Sequence, residues 1–230
     1  MKISLLKQIF FPQHNGCCLC GSWADTEEIV CSACLHMTEK SRIPRNAVLR
    51  RGDLMSLAVW KHEGSVRRLI HQLKYRGNRK AAAFLGLEMA NVFIRKQRDI
   101  GAVDLVIPVP LHPLREEKRG YNQALLLALP VCAAAALPLE TEALARVKHT
   151  ATQVRRTRKE RAKAMEGAFA VLNASAVCGK RVLLVDDVMT TGATAAACAA
   201  ALRSAGAADV RVLTAARIAE KGSNQHSARG

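Results

Sequence analysis

Two adjacent carboxylates, Asp186 and Asp187, follow the apolar run Val182-Leu-Leu-Val185 and precede Thr190-Thr191-Gly192-Ala193-Thr194. The run reads as a buried strand that delivers both acids to its C-terminal edge, where open α/β sheets take up ligands. The residues after it turn straight into the start of an Ala-rich helix. Its first N–H groups and its dipole favour a phosphate there. Thr190, Thr191 and Thr194 add hydroxyl donors, and Gly192 lets the backbone approach closely. Carboxylates beside a phosphate cradle suit a sugar phosphate: the acids take ribose hydroxyls and Mg2+, and the loop takes the 5′-phosphate. The plainer readings are a Walker-B-like strand or a receiver-type acidic pocket. Neither G-x-x-x-x-G-K-[ST] nor G-x-G-x-x-G occurs anywhere in the chain, which removes the phosphate loop a P-loop hydrolase needs.

A second constellation is Cys17-x2-Cys20 with Cys31-x2-Cys34, ten residues apart. Two such knuckles supply four thiolates that close a tetrahedron around Zn2+ and leave no open position, so the role is structural. Disulfides and free thiols are the competing readings, and Cys18 can stand in for Cys17 as a poorer knuckle. Cys132, Cys178 and Cys198 lie in apolar or Ala-rich surroundings and read as buried bystanders.

These groups need a scaffold, and the pattern supplies one. A short strand is expected at Leu57–Trp60, with helices near Val66–Tyr75 and Ala81–Lys96 separated by Gly77. The apolar run Val103–Val109 suits a strand buried on both faces. Tyr121–Ala136 reads as a helix, Phe169–Leu172 and Arg181–Val185 as strands, 193–204 as a helix stopped by Gly206, and Val210–Ala215 as a last strand. Apolar strands alternating with helices predict a doubly wound parallel α/β sheet. The division expected is a zinc-finger module at 1–45, an α/β domain at 46–220 and a flexible tail at 221–230.

Half of the 230 residues are apolar and 23% are charged, a balance of folded rather than disordered chains. The 35 Lys and Arg against 19 Asp and Glu give a formal charge of +16, so polyanions are the natural partners. The N-terminus lacks the pattern of a secretory signal, and the run Leu125–Leu139 is too short to span a bilayer, which points to a cytoplasmic protein without a membrane span.

The string Asp186-Asp-x-x-Thr-Thr-Gly-x-Thr194 resembles the phosphoribosyl-pyrophosphate motif of type I phosphoribosyltransferases. Pro108-Val-Pro-Leu-His112, followed by Arg115 and Arg119-Gly-Tyr-Asn-Gln123, is similar to the ComF family, the competence-associated phosphoribosyltransferase-like proteins. So are the cysteine finger and the Arg146, Gln153, Arg161 and Gly167-Ala-Phe169 landmarks. The likeness runs from about Phe10 to Ala216.

The resemblance implies that Asp186 and Asp187 are catalytic, holding ribose hydroxyls and Mg2+. It implies a phosphoribosyl-pyrophosphate motif running through Val188, Met189, Thr190, Thr191, Gly192, Ala193 and Thr194. Val109, Pro110, Leu111 and His112, with Arg115 and Arg119, would take the pyrophosphate. Gln153, Arg158 and Arg161 would belong to a flap over the site. Structural Zn and Mg are the implied cofactors. Phosphoribosyl pyrophosphate or a related nucleotide, single-stranded DNA and proteins of the competence machinery are the implied partners. The chain departs from the family at Arg156, where Leu is usual, and at Ala164, where Asn is usual.

Two readings of function stay open: transfer of a ribose 5-phosphate group to a nitrogen nucleophile, or a non-catalytic module holding single-stranded DNA or a nucleotide. Arg115, Lys118 and Arg119 fit pyrophosphate neutralisation or a solvated turn. Arg67, Arg68, Lys74, Arg76, Arg79 and Lys80, with Tyr75 and Trp60 nearby, fit a nucleic-acid track or a plain basic helix face.

Overall fold

The structure is a computed structural model, and it describes residues 16–22, 28–44, 48–51, 53–148, 160 and 164–218. A five-stranded sheet runs in the order β1 (Val48–Arg51), β2 (Leu54–Lys61), β7 (Asp209–Arg217), β6 (Arg181–Met189), β3 (Leu105–Pro108). β2, β7, β6 and β3 are parallel and β1 is an antiparallel edge, so the sheet is mixed rather than wholly parallel. The far edge is covered: the Val106 N–H donates to the Pro138 carbonyl at 3.0 Å, and the Glu140 N–H to the Val106 carbonyl at 2.9 Å. Such cover leaves little of that edge for another chain to pair with.

Alternation sorts the central strands between two cores. Leu183, Val185, Leu213 and Ala215 face one, and Val182, Leu184, Val210 and Val212 face the other. The first core is roofed by α2 (Gly64–Tyr75), α3 (Arg79–Arg95) and α6 (Gln123–Ala135). Val66, Leu69, Ile70 and Leu73 fall at helical spacing on α2, and each is at most 1% exposed. Helix α6 continues through Pro130, within the helix expected at Tyr121–Ala136. Gly86 of α3 faces that proline, and a Cβ there would lie 2.9 Å from Pro130 Cγ, so the two helices meet closely only because the position is glycine. The second core is covered by α8 (Ala193–Ser204), the one-turn α7 (Ala174–Val177) and a ribbon of β4 (Leu144–Arg146) with β5 (Phe169–Val171).

The cysteine segment leads into α1 (Ser32–Glu39) and packs on the first core through Cys17, Cys18, Leu19, Val30 and Cys34. Asn78, which caps α3 by accepting from the Ala81 N–H at 3.0 Å, also donates to the Cys18 carbonyl at 3.0 Å. Arg42 bridges Glu39 of α1, at 2.6 Å, and Glu88 of α3. Among the described residues no helix is long and apolar enough to cross a membrane.

Several elements carry no periodic signal in the sequence. The short helices α1, α4 (Gln97–Ile100), α5 (Pro113–Arg119) and α7 and the strands β1 and β4 are of this kind. The buried bystander reading holds for Cys132 and Cys198, whereas Cys178 is exposed because it ends the single turn of α7 beside Gly206.

Candidate functional site

Parallel pairing builds the site. Pro108 lies in register with Val185, and the Val109 N–H extends the ladder to the Val185 carbonyl at 2.8 Å. The segments that follow β3 and β6 therefore leave the sheet side by side, at the edge where parallel α/β sheets bind ligands.

Strand β6 does not stop before the acids. It continues to Met189, so Asp186 and Asp187 lie inside it and not beyond its end. Side chains alternate along a strand, so the two carboxylates leave opposite faces. Asp187, 3% exposed, points to the helical roof, where its Oδ1 meets Lys74 Nζ of α2 at 2.8 Å. Its Oδ2 is buried and has no hydrogen-bond partner among the described residues. Burial opposes the charge of Lys74, but the Asp187 carboxylate outweighs it and raises the amine's pKa.

Asp186, half-buried, sits on the α8 side, and its Oδ1 accepts from the Asp187 N–H at 2.8 Å. Burial first, and then the neighbouring Asp187 charge, push its carboxyl up to about 7, against the pull of Lys74 and Arg146. Thr214 of β7 lies opposite Asp186 in the register, with a buried hydroxyl that has no partner among the described residues.

The loop after β6 turns into α8 at Gly192. Gly192 takes φ +79° at the N-cap of α8, a left-handed conformation suited to glycine, and no side chain among the described residues caps the helix. The Ala193 N–H donates to Thr191 Oγ1 at 3.4 Å, while Thr194 Oγ1 lies 3.9 Å from Met165 Sδ. Thr190 is exposed and Thr191, Gly192, Ala193 and Thr194 are half-buried; Val188 is half-buried and Met189 buried at the strand's end.

Across the edge, Val109 is buried and Pro110, Leu111 and His112 are half-buried. His112 caps α5, its Nδ1 accepting from the Leu114 N–H at 3.3 Å. Much of Arg119-Gly-Tyr-Asn-Gln123 braces this loop. Asn122 donates to the Val109 carbonyl at 3.1 Å and accepts from the Ala124 N–H at 2.9 Å. Tyr121 donates to the Leu73 carbonyl, and Arg119 to Gln123 Oε1. Arg119 is thus held beside Tyr75, whereas Arg115 stays near Arg146, whose pKa is lowered by burial and then by the Arg115 charge. Gln153, Arg158 and Arg161 lie outside the described residues.

Lys74 is the residue the sequence understates: on periodicity it is one cation of a basic face, and only the helix–sheet packing carries it to Asp187. Arg146 is similar, a landmark by likeness whose charge reaches Asp186 and lowers its carboxyl's pKa against the effect of burial. Trp60 leaves the stacking surface altogether, since it is 0% exposed.

In the cysteine site, the Sγ atoms of Cys17, Cys20, Cys31 and Cys34 all lie within 4.8 Å of one another. Zn–S bonds of about 2.3 Å in a tetrahedron place sulfurs roughly 3.8 Å apart. The Cys20–Cys31 separation is 3.8 Å. The donor set fits structural zinc. Cys18, though buried, is not one of the four.

Residues 127–227 match the phosphoribosyl transferase domain. The DNA utilization protein YhgH of Escherichia coli O157:H7 is 32% identical over 206 residues, covering 86% of this chain and 89% of that protein. The chain belongs to the ComF family. Other relatives are Competence protein F of Haemophilus influenzae, 37% identical over 115 residues and 50% of each chain, and Competence protein ComFC of Bacillus subtilis, 28% identical over 184 residues, 77% of this chain and 67% of that one. The ComF chain therefore has a type I phosphoribosyltransferase-like fold, with four N-terminal cysteines placed to hold zinc.

Proposed function

We propose that this ComF protein binds phosphoribosyl pyrophosphate with Mg2+ at the C-terminal edge of β3 and β6, and that it serves competence and DNA uptake. The names of its relatives support the second part. The observation that supports the first is the Pro108–Val185 register, which lets the loops after β3 and β6 leave the sheet side by side. In this reading the Thr190–Thr194 loop and the start of α8 receive the 5′-phosphate. Backbone at 109–112 and Arg115 receive the pyrophosphate. Asp186 and the unpartnered Oδ2 of Asp187 accept from ribose hydroxyls, while Lys74 fixes the Asp187 carboxylate by its other oxygen.

The diverging carboxylates do not chelate one ion as a pair. They fit Mg2+ held by one or two carboxylates together with ligand oxygens and water, as is usual for that ion. Bound Mg2+ would neutralise charge on the pyrophosphate. The chain's own part is placement: Arg115 and Arg146 offset the anionic leaving group as its bond to the ribose carbon breaks and a bond to a nitrogen nucleophile forms.

Thermal denaturation with millimolar phosphoribosyl pyrophosphate and Mg2+ tests this. Ligand at one hundred times its Kd adds about 2.7 kcal/mol, roughly 5–10 °C for a chain of this size. Asp186→Asn is expected to remove the shift. No shift in the parent protein overturns the reading.

A further inference from the structure

Tyr75 is the one exposed Phe, Tyr or Trp ring among the described residues, at 68%. It is also held. The Arg119 guanidinium lies over the ring, 5.7 Å from its centroid, and is fixed in turn by Gln123, which is buried. The His71 ring lies 4.8 Å away, tilted by 47°. The two residues before Tyr75 are pinned, Leu73 by the Tyr121 hydroxyl and Lys74 by Asp187.

An apolar ring left open and rigid beside a binding edge gains most from a flat partner. Its surroundings say which kind. Between positions 64 and 83 the chain has six cations, Arg67, Arg68, Lys74, Arg76, Arg79 and Lys80, and no carboxylate. Arg76 and Arg79, just beyond the ring in the chain, are both exposed. A π-face flanked by cations fits a planar base that carries a phosphate.

We propose that Tyr75, backed by Arg119, is a stacking platform for a nucleobase whose phosphate lies over Arg76 and Arg79. This goes beyond the phosphoribosyl-pyrophosphate reading and does not rest on it. A free nucleotide and a single strand offer the same chemistry, and the test separates them.

Three probes are titrated into the full chain: 2-aminopurine riboside 5′-monophosphate, an oligothymidylate of about 15 nucleotides with one 2-aminopurine, and a labelled strand of that length that is abasic throughout. Losing one base stack costs about 5- to 150-fold in affinity. Tyr75→Ala is expected to weaken a 2-aminopurine probe by that factor, Tyr75→Phe to stay within about twofold, and the abasic strand to bind both proteins alike. Weakening with the mononucleotide assigns a free nucleotide, and weakening confined to the strand assigns a strand. Equal affinity of parent and Tyr75→Ala for both 2-aminopurine probes overturns the proposal. So does a parent that binds neither, or an abasic strand weakened as much as the base-bearing one. Equal melting temperatures of the variants show that the exposed substitution leaves the fold intact. Absence of a phosphoribosyl-pyrophosphate shift in the parent sinks only the earlier reading.

Discussion

The cysteine knuckle and the acidic strand end both gather ionisable groups that water would keep apart, and they do so in opposite ways. In the knuckle, tight turns and the start of α1 bring four sulfurs within 4.8 Å of one another, a spacing that fits one metal ion at the centre. Ser22 Oγ, 2.8 Å from Cys20 Sγ, lowers that thiol's pKa to about 6, which suits a thiolate ligand. On β6 the two-residue period sends Asp186 and Asp187 to opposite faces, so each is balanced by a different neighbour. Adjacency in a strand is divergence in space, whereas a C-x2-C turn is convergence. The first region is complete with one ion. The second keeps a carboxylate oxygen without a partner among the described residues and a raised pKa, features often found together at functional sites.

The largest effect should come from breaking the convergence. Cys34→Ser is expected to abolish stoichiometric zinc, read by metal analysis, and to lower the melting temperature by about 10 °C or more, because Cys34 is also part of the first core. Retained zinc with an unchanged melting temperature would show that the four sulfurs are not a metal site.

Next in size is the balance on the helical face. Lys74→Met leaves the buried Asp187 carboxylate without its cation and should cost about 3–5 kcal/mol in urea unfolding, with Asp187→Asn in the same chain recovering much of it. Additive losses in the double variant would mean that the pair is not coupled.

The smallest effect lies on the other face. Asp186 has a folded-state pKa near 7 against an ordinary 3.8, so between those values the metal-free folded state binds more protons than the unfolded one. Its contribution is therefore present at low pH and lost as pH rises through that window. Asp186→Asn should flatten this component of the stability profile and add about 1 kcal/mol at pH 8, a typical gain on removing strain at a functional site. An unchanged profile would show that Asp186 titrates as an ordinary surface acid.

Much of this was legible beforehand. The runs at 103–109, 181–185 and 210–215 read as strands because central parallel strands are buried on both faces and need continuous apolar sequence. Helices α2, α3, α6 and α8 were visible from periodicity, glycine punctuation and alanine content. The short helices and β1 were not, since one or two turns leave no period to detect. Pro130 does not interrupt α6, because a helix packed this closely tolerates a missing hydrogen bond that an isolated one would not. The acids, the Thr/Gly loop and the cysteines were identifiable by type and spacing, but Lys74, Thr214 and the braced Tyr75 were not.

By itself, then, the sequence determined what is local: four thiols at knuckle spacing, two carboxylates at the end of an apolar run, and a glycine where the chain turns into α8. Tertiary structure alone decided the pairings between distant segments. It set β3 beside β6, carried Lys74 to Asp187, and used Tyr121, Asn122 and Arg119 to hold loop and helix together. Periodicity and turn chemistry act over a few residues, whereas which buried charge meets which cation is settled only when helices dock on the sheet and water leaves between them.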